Sequence, residues 1–290
     1  MEKASLKKTL ITLLKIAVSL VLLILVFRKI NFQEVAEVLK HVHFIPLFFA
    51  SILFFSSQVL SAKRLEFYLK AQDFNLSFKS NFELYFLGMF YNFFIPGGVG
   101  GDAYKIYLLH QNFDWSAKKL TSALFNDRLS GLLAIIILIC GFASYLFDNQ
   151  YLILFLLIIL IVILSSFQLS KKIFPAYKSI FFKTFFISVL IQVLQVSCFL
   201  FLLKSLGVNE NYLIYALVFL ASSVLSLISF AGIGVREMLF FQAAKYFDFN
   251  ATISVSASLL FTLITAIFSF IGVYFQIRKL NLNLAENKSE

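Results

Sequence analysis

Three prolines and eleven glycines are all that interrupt 290 residues, and the chain holds only two cysteines, three histidines and one tryptophan. Charge is also scarce, at 14% of residues against about 25% in a soluble protein. That leaves no room for a sizeable soluble domain. Cys140 and Cys198 stand in apolar runs without metal-ligand spacing and read as core packing. No Ser/His/Asp or Cys/His set can be assembled, His110 being the only histidine near a glycine cluster. Neither paired carboxylates at metal spacing nor a Walker loop occurs. The sequence therefore points to no catalytic set, no metal and no cofactor.

What is present is hydrophobic: 60% of the residues, with 38 phenylalanines. The net charge of +10 raises nucleic acid as a partner. The lysines, however, lie in short loops beside apolar runs, and the positive-inside rule explains them better. Apolar runs at residues 9–27, 44–62, 117–147, 151–169, 184–203 and 251–277 predict six full transmembrane helices. Lys3, Lys7 and Lys8 precede the first run, and no A-x-A site follows it, so it reads as an uncleaved helix. Residues 32–40 alternate apolar and charged positions as a short interfacial helix would. Ser116 stands where it could cap the helix that begins at Ala117. The whole chain reads as one integral-membrane domain over 1–290, with a disordered tail from about Asn281.

Two stretches break this pattern. Asn92-Phe93-Phe94-Ile95-Pro96-Gly97-Gly98-Val99-Gly100-Gly101-Asp102-Ala103-Tyr104-Lys105 places a proline, four glycines and two charges between apolar runs. The run before it is too short to cross a bilayer, which takes about 20 residues. Irregular backbone at membrane depth is tolerated only where protein or a water-filled cavity satisfies its polar groups. The stretch therefore predicts a re-entrant pair of half-helices around a glycine turn. Ser229-Phe230-Ala231-Gly232-Ile233-Gly234-Val235-Arg236-Glu237 repeats the pattern near the other end. Paired interruptions of this kind point to a transport site. With both units re-entrant, seventeen lysines and arginines fall on the inner side and six on the outer. The two pairs then enter from opposite faces, as an inverted repeat requires. The expectation is an all-α polytopic membrane protein of about six full spans and two broken helix pairs, with both termini cytoplasmic.

Several residues could carry chemistry. A half-helix starting near Gly101 directs free amides and a positive dipole end into the membrane, which suits an anion. Asp102 either caps that helix or shapes the site, and Lys105 one turn on is either a phosphate contact or an ordinary juxtamembrane lysine. Asp127 and Arg128 sit inside an apolar run, where each costs roughly 2.5–3.5 kcal/mol. They point about 100° apart on a helix and so should meet different segments. An ion pair of Asp127 with Arg236 is one option, and Arg236 and Glu237 pose the same question after the second break. These four either bind a ligand or pair with one another. Asn92, Gln192 and Gln195 read as hydrogen-bonding glue or as ligand contacts.

These residues resemble the lysylphosphatidylglycerol synthase transmembrane-region family, also called flippase-like. Its proline-glycine-glycine-x-glycine-glycine-aspartate turn after an asparagine is matched by Asn92, Pro96, Gly97, Gly98, Gly100, Gly101 and Asp102. Its acid-arginine pair followed by glycine is matched by Asp127, Arg128 and Gly131, and its late glycine-x-glycine-x-x-glutamate unit by Gly232, Gly234 and Glu237. Phe230-Ala231 departs from the proline and small residues that often stand there. The resemblance spans nearly the whole chain. It implies a bacterial cytoplasmic-membrane protein that moves a phospholipid or other anionic-headgroup lipid between leaflets, without the aminoacyl-transferase domain fused to this region in some members. A membrane-embedded transferase acting on phospholipid or polyprenyl-phosphate substrates is the alternative, with Asp102 as its only attractive base. Oligomeric state is left open, a homodimer included.

Overall fold

Two long helices, α2 (Phe44–Lys70) and α7 (Phe181–Ser205), run side by side in opposite directions and form the spine of the computed structural model. At one end the His43 amide donates to the Ser205 carbonyl, and Phe49 meets Phe201. Towards the other, Arg64 bonds Ser188 and Tyr68 bonds Thr184. The structure describes residues 32–94, 100–146, 151–226, 234–247, 249–278 and 280–285. The expected first span at 9–27 lies outside them.

The remaining helices are α1 (Phe32–Lys40), α3 (Phe78–Phe94), α4 (Gly100–Phe113), α5 (Ala117–Ala143), α6 (Leu152–Ile173), α8 (Tyr212–Leu225), α9 (Val235–Tyr246), α10 (Ala251–Ser269) and α11 (Ile271–Ile277). Counting their 3-10 extensions, five segments are long and apolar enough to cross a membrane: Phe44–Lys70, Ala117–Leu146, Leu152–Ile173, Pro175–Ser205 and Ala251–Ile277. They are the five spans expected among the described residues. The second is longer than its apolar run suggested, since α2 continues past Ala62 to Lys70 and its last turns are buried.

Both broken units are hairpins. Across the first, Asn92 meets Gly101, Tyr91 meets Tyr104, and the Lys105 ammonium lies 5.0 Å from the Tyr85 ring centroid, so α3 and α4 pack antiparallel. Across the second, the Arg236 guanidinium lies over Phe219, and Phe240 faces Tyr215. The first hairpin follows α2 and the second follows α7. Because α2 and α7 are antiparallel, the hairpins enter from opposite faces. The order of span, hairpin and span therefore recurs upside down, as α2, α3–α4, α5 and again as α7, α8–α9, α10. The packing obeys the same exchange: α5 lies against α8, and α10 against α3.

Side chains fill the two ends differently. Phe54, Phe199, Phe219, Phe240 and Phe261 lead one buried cluster, and Leu65, Tyr68, Leu84, Leu109, Leu120 and Tyr177 lead another around the ends of α2 and α4. No residue of α6 is buried, so it stands at the periphery against α5. The expectation of a tail disordered from Asn281 is corrected as far as residue 285. Leu284 bridges Leu76, the Ser77 amide donates to the Asn283 carbonyl, and Arg278 reaches Glu83 at 3.0 Å. These bonds hold the segment across the α2–α3 turn.

Candidate functional site

The first hairpin closes because two glycines let its backbones touch. A Cβ on Gly101 would stand 1.8 Å from the Gly88 carbonyl oxygen, a contact no side chain can survive. The Gly101 amide donates to Asn92 Oδ1 at 2.9 Å, so the asparagine side chain ties α3 to the start of α4. Of the two roles open to Asp102, shaping the site is the one observed, since its carboxylate turns to cations and not to the helix end. The expectation for Ser116 is corrected, since it stands at the start of α5 without making a side-chain cap bond.

Asp102 accepts from Lys105 Nζ at 3.1 Å and, through its other oxygen, from Arg128 Nε. Lys105 is buried, whereas the Arg128 side chain is 40% exposed. Arg128 thus reaches from α5 to the hairpin. Its neighbour Asp127, turned about 100° round the helix, faces α2. There Arg64 grips it with two bonds, Nε to Oδ1 at 2.8 Å and Nη2 to Oδ2 at 3.2 Å. The third guanidinium nitrogen donates to Ser188 on α7, which in turn bonds Ser130 on α5. Gly131 makes room for this arrangement, because a Cβ there would lie 3.3 Å from Arg64 Nη1. The proposed pairing of Asp127 with Arg236 is therefore overturned by the partner that α2 supplies.

Arg64, Asp102, Lys105, Asp127 and Arg128 line one cleft of about 220 Å³, with Tyr85, Met89 and Asn92 among its walls. Three cations face two carboxylates. Arg64 and Asp127 neutralise each other, while Asp102 is shared between Lys105 and Arg128. Counted over its described lining residues the cleft bears a net charge of +1, in a setting where charge is strongly felt. Beside it, on another face of α5, lies an apolar cleft of about 440 Å³ walled by Leu129, Leu133, Leu169, Phe174 and Phe181, with Ser130 on its lining. The Ser130–Ser188–Arg64 chain connects the two.

Of the residues singled out from the sequence, Asn92, Gly100, Gly101, Asp102, Lys105, Asp127 and Arg128 are brought by the structure to this cleft or to the hairpin that forms it. Arg64 was missed, since Lys63-Arg64 after an apolar run reads as a membrane boundary. The signal was Leu65, Phe67, Tyr68 and Leu69, which continue the apolar pattern beyond it. Pro96, Gly97, Gly98 and Gly232 lie outside the described residues. Gly234, Arg236 and Glu237 belong to the other hairpin and do not line the cleft. Gly234 adopts φ +83°, which glycine tolerates without strain. Its amide donates to Glu237 Oε2 at 2.7 Å, and Ser258 donates to Oε1 at 2.9 Å. Glu237 is fully buried and acts as the helix cap that Asp102 is not. Gln192 is buried with Oε1 unpartnered among the described residues. No group of histidine, cysteine and acidic residues able to hold a metal occurs among them either.

A family model described as Lysylphosphatidylglycerol synthase TM region matches residues 12–272. No curated protein matches the chain.

Proposed function

The chain belongs to the Lysylphosphatidylglycerol synthase TM region family, and we propose that it moves an anionic-headgroup phospholipid between the leaflets of a bilayer. The observation that carries this reading is the excess positive charge of the cleft around Lys105 and Arg128. A phosphodiester carries one negative charge and matches the net charge of the described lining. The adjoining apolar cleft would take the lipid's chain, so that one amphiphile occupies both clefts along α5. Asp102, the one base on which a transferase reading rested, already has its two oxygens on Lys105 and Arg128, which favours transport. Transport here uses the lipid gradient or a coupled ion.

The test is native mass spectrometry of the protein purified from membranes. Retention of anionic phospholipid well above its share of the bilayer is expected. Retained lipid that mirrors the bulk composition, or is mainly zwitterionic, contradicts the reading.

The same reading places the first hairpin's entry side in the cytoplasm of a bacterial cell, with both termini there. The lysine and arginine distribution supports this, although Arg64 and Lys105 leave the inner tally because they are buried. Ser179 and Asn209 flank α7 and are exposed. With the native cysteines replaced, an impermeant thiol reagent on intact cells should label Asn209→Cys and spare Ser179→Cys. The reverse pattern would invert the orientation.

A further inference from the structure

Arg236 is a buried cation that forms no salt bridge among the described residues. Its residue is 8% exposed, its Nε has no hydrogen-bond partner among the described residues, and its guanidinium lies 5.5 Å from the Phe219 ring centroid and 4.7 Å from that of Phe261. The carboxylate next to it in sequence is committed elsewhere, since Glu237 serves the Gly234 amide and Ser258. Two ring faces offset only part of the cost of burying a guanidinium. A charge at membrane depth ordinarily meets a partner or a cavity.

The inverted repeat shows where this cation stands relative to the cleft. Asp102 and Glu237 are each the third residue of the second half-helix, and Lys105 and Phe240 are each the sixth. Where the first hairpin presents a cation to an open cleft, the second presents a ring. Phe240 stacks on Phe199 at 4.8 Å, and Phe199 in turn on Phe219 at 4.8 Å. The two halves are alike in frame and opposite in filling: one is polar and accessible, the other aromatic and closed over Arg236.

We propose that Arg236 is a second anion station, reached from the opposite face of the membrane, which takes a phosphate group once Phe219 and Phe261 withdraw from its guanidinium. Within the transport reading, on which this role in transfer rests, the headgroup leaves Lys105 and Arg128 and is received by Arg236 while the aromatic cluster passes from closed to open. The guanidinium suits the task because it presents paired donors to two phosphate oxygens, which an ammonium does not.

Arginine-specific modification tests the station directly. The unaltered protein is reconstituted in phosphatidylcholine vesicles with and without phosphatidylglycerol, treated with phenylglyoxal, and the Arg236 adduct followed by peptide mass spectrometry. Phosphatidylglycerol should slow modification of Arg236 several-fold. Protection by inorganic phosphate as well would assign the same chemistry to a free anion. Equal modification under all three conditions overturns the proposal. If Arg236 does not react at all, leaflet transfer of tail-labelled phosphatidylglycerol decides. R236Q should slow it on the order of tenfold and R236K less, with lipid binding at the first cleft unchanged. Wild-type transfer by R236Q overturns the station. Should neither variant fold, the modification experiment on the unaltered protein stands by itself. Protection of Arg236 in a protein that transfers nothing would retain the station and remove the transport reading, so the two failures are distinct.

Discussion

Arg64→Met should lower stability by about 3–5 kcal/mol, the usual cost of breaking a buried ion pair from one side. Arg64 is 7% exposed and makes two bonds to Asp127 and one to Ser188. Removing it strands a carboxylate that is itself nearly buried, along with the Ser188–Ser130 hydroxyl pair. Asp127→Asn should cost a similar amount, because it leaves the guanidinium uncompensated. The double variant Arg64→Met with Asp127→Asn should recover most of the loss, since the desolvation cost of both charges disappears with them. Arg64→Lys should recover less than half, because a single ammonium nitrogen cannot reproduce the planar fork that grips both Asp127 oxygens on α5 and reaches Ser188 on α7. Thermal unfolding in detergent measures all four. A single variant as stable as the unaltered protein would show that the pair contributes nothing to holding α2, α5 and α7 together.

Arg128→Gln should behave in the opposite way: nearly intact stability and a large functional loss. Its side chain is 40% exposed, and a partly solvated ion pair contributes only about 0–1 kcal/mol. Asp102 keeps Lys105 after the change. The cleft, however, falls from three cations against two carboxylates to two against two, and the excess charge that attracts a phosphate is gone. A charge-assisted hydrogen bond contributes about 1.5–3 kcal/mol, so anionic-lipid affinity should fall roughly ten- to a hundredfold or somewhat more. Arg128→Lys restores the charge but not the two-pronged geometry and should recover in part. Protection against heat by added phosphatidylglycerol reads this out. Protection of Arg128→Gln equal to that of the unaltered protein would remove Arg128 from the site.

The contrast between these two arginines also marks how far the sequence could be read. The hairpins were legible because Pro96 and the glycines around it stand out in a chain so poor in both. The opposed entry followed from lysine placement. The divergence of Asp127 and Arg128 followed from helical geometry alone. Their partners did not, because a partner is chosen by which helices cross. Arg64 meets Asp127 because α2 packs against α5, and the antiparallel α7 brings Ser188 beside the same guanidinium. A lysine-arginine pair after an apolar run looks like the end of a span, and α2 simply continues through it. Asp102 and Glu237 show the remaining limit. Both are acids at the third position of a half-helix after a glycine turn, so local pattern assigns them one role. Glu237 caps its helix, whereas Asn92 takes that task in the first hairpin and frees Asp102 to hold two cations. That exchange depends on the contact between Gly88 and Gly101, which is tertiary.

The central claim is that the cleft of Lys105 and Arg128 receives an anionic headgroup on its way across the bilayer. Its most direct test is leaflet transfer in sealed vesicles, without nucleotide, using phosphatidylglycerol and phosphatidylcholine carrying the same label on an acyl chain. Transfer should be faster for phosphatidylglycerol than for phosphatidylcholine, and Arg128→Gln should slow the former at least about tenfold while unfolding at nearly the same temperature. No transfer by the unaltered protein, or equal transfer of both lipids by it and by Arg128→Gln, would contradict the account.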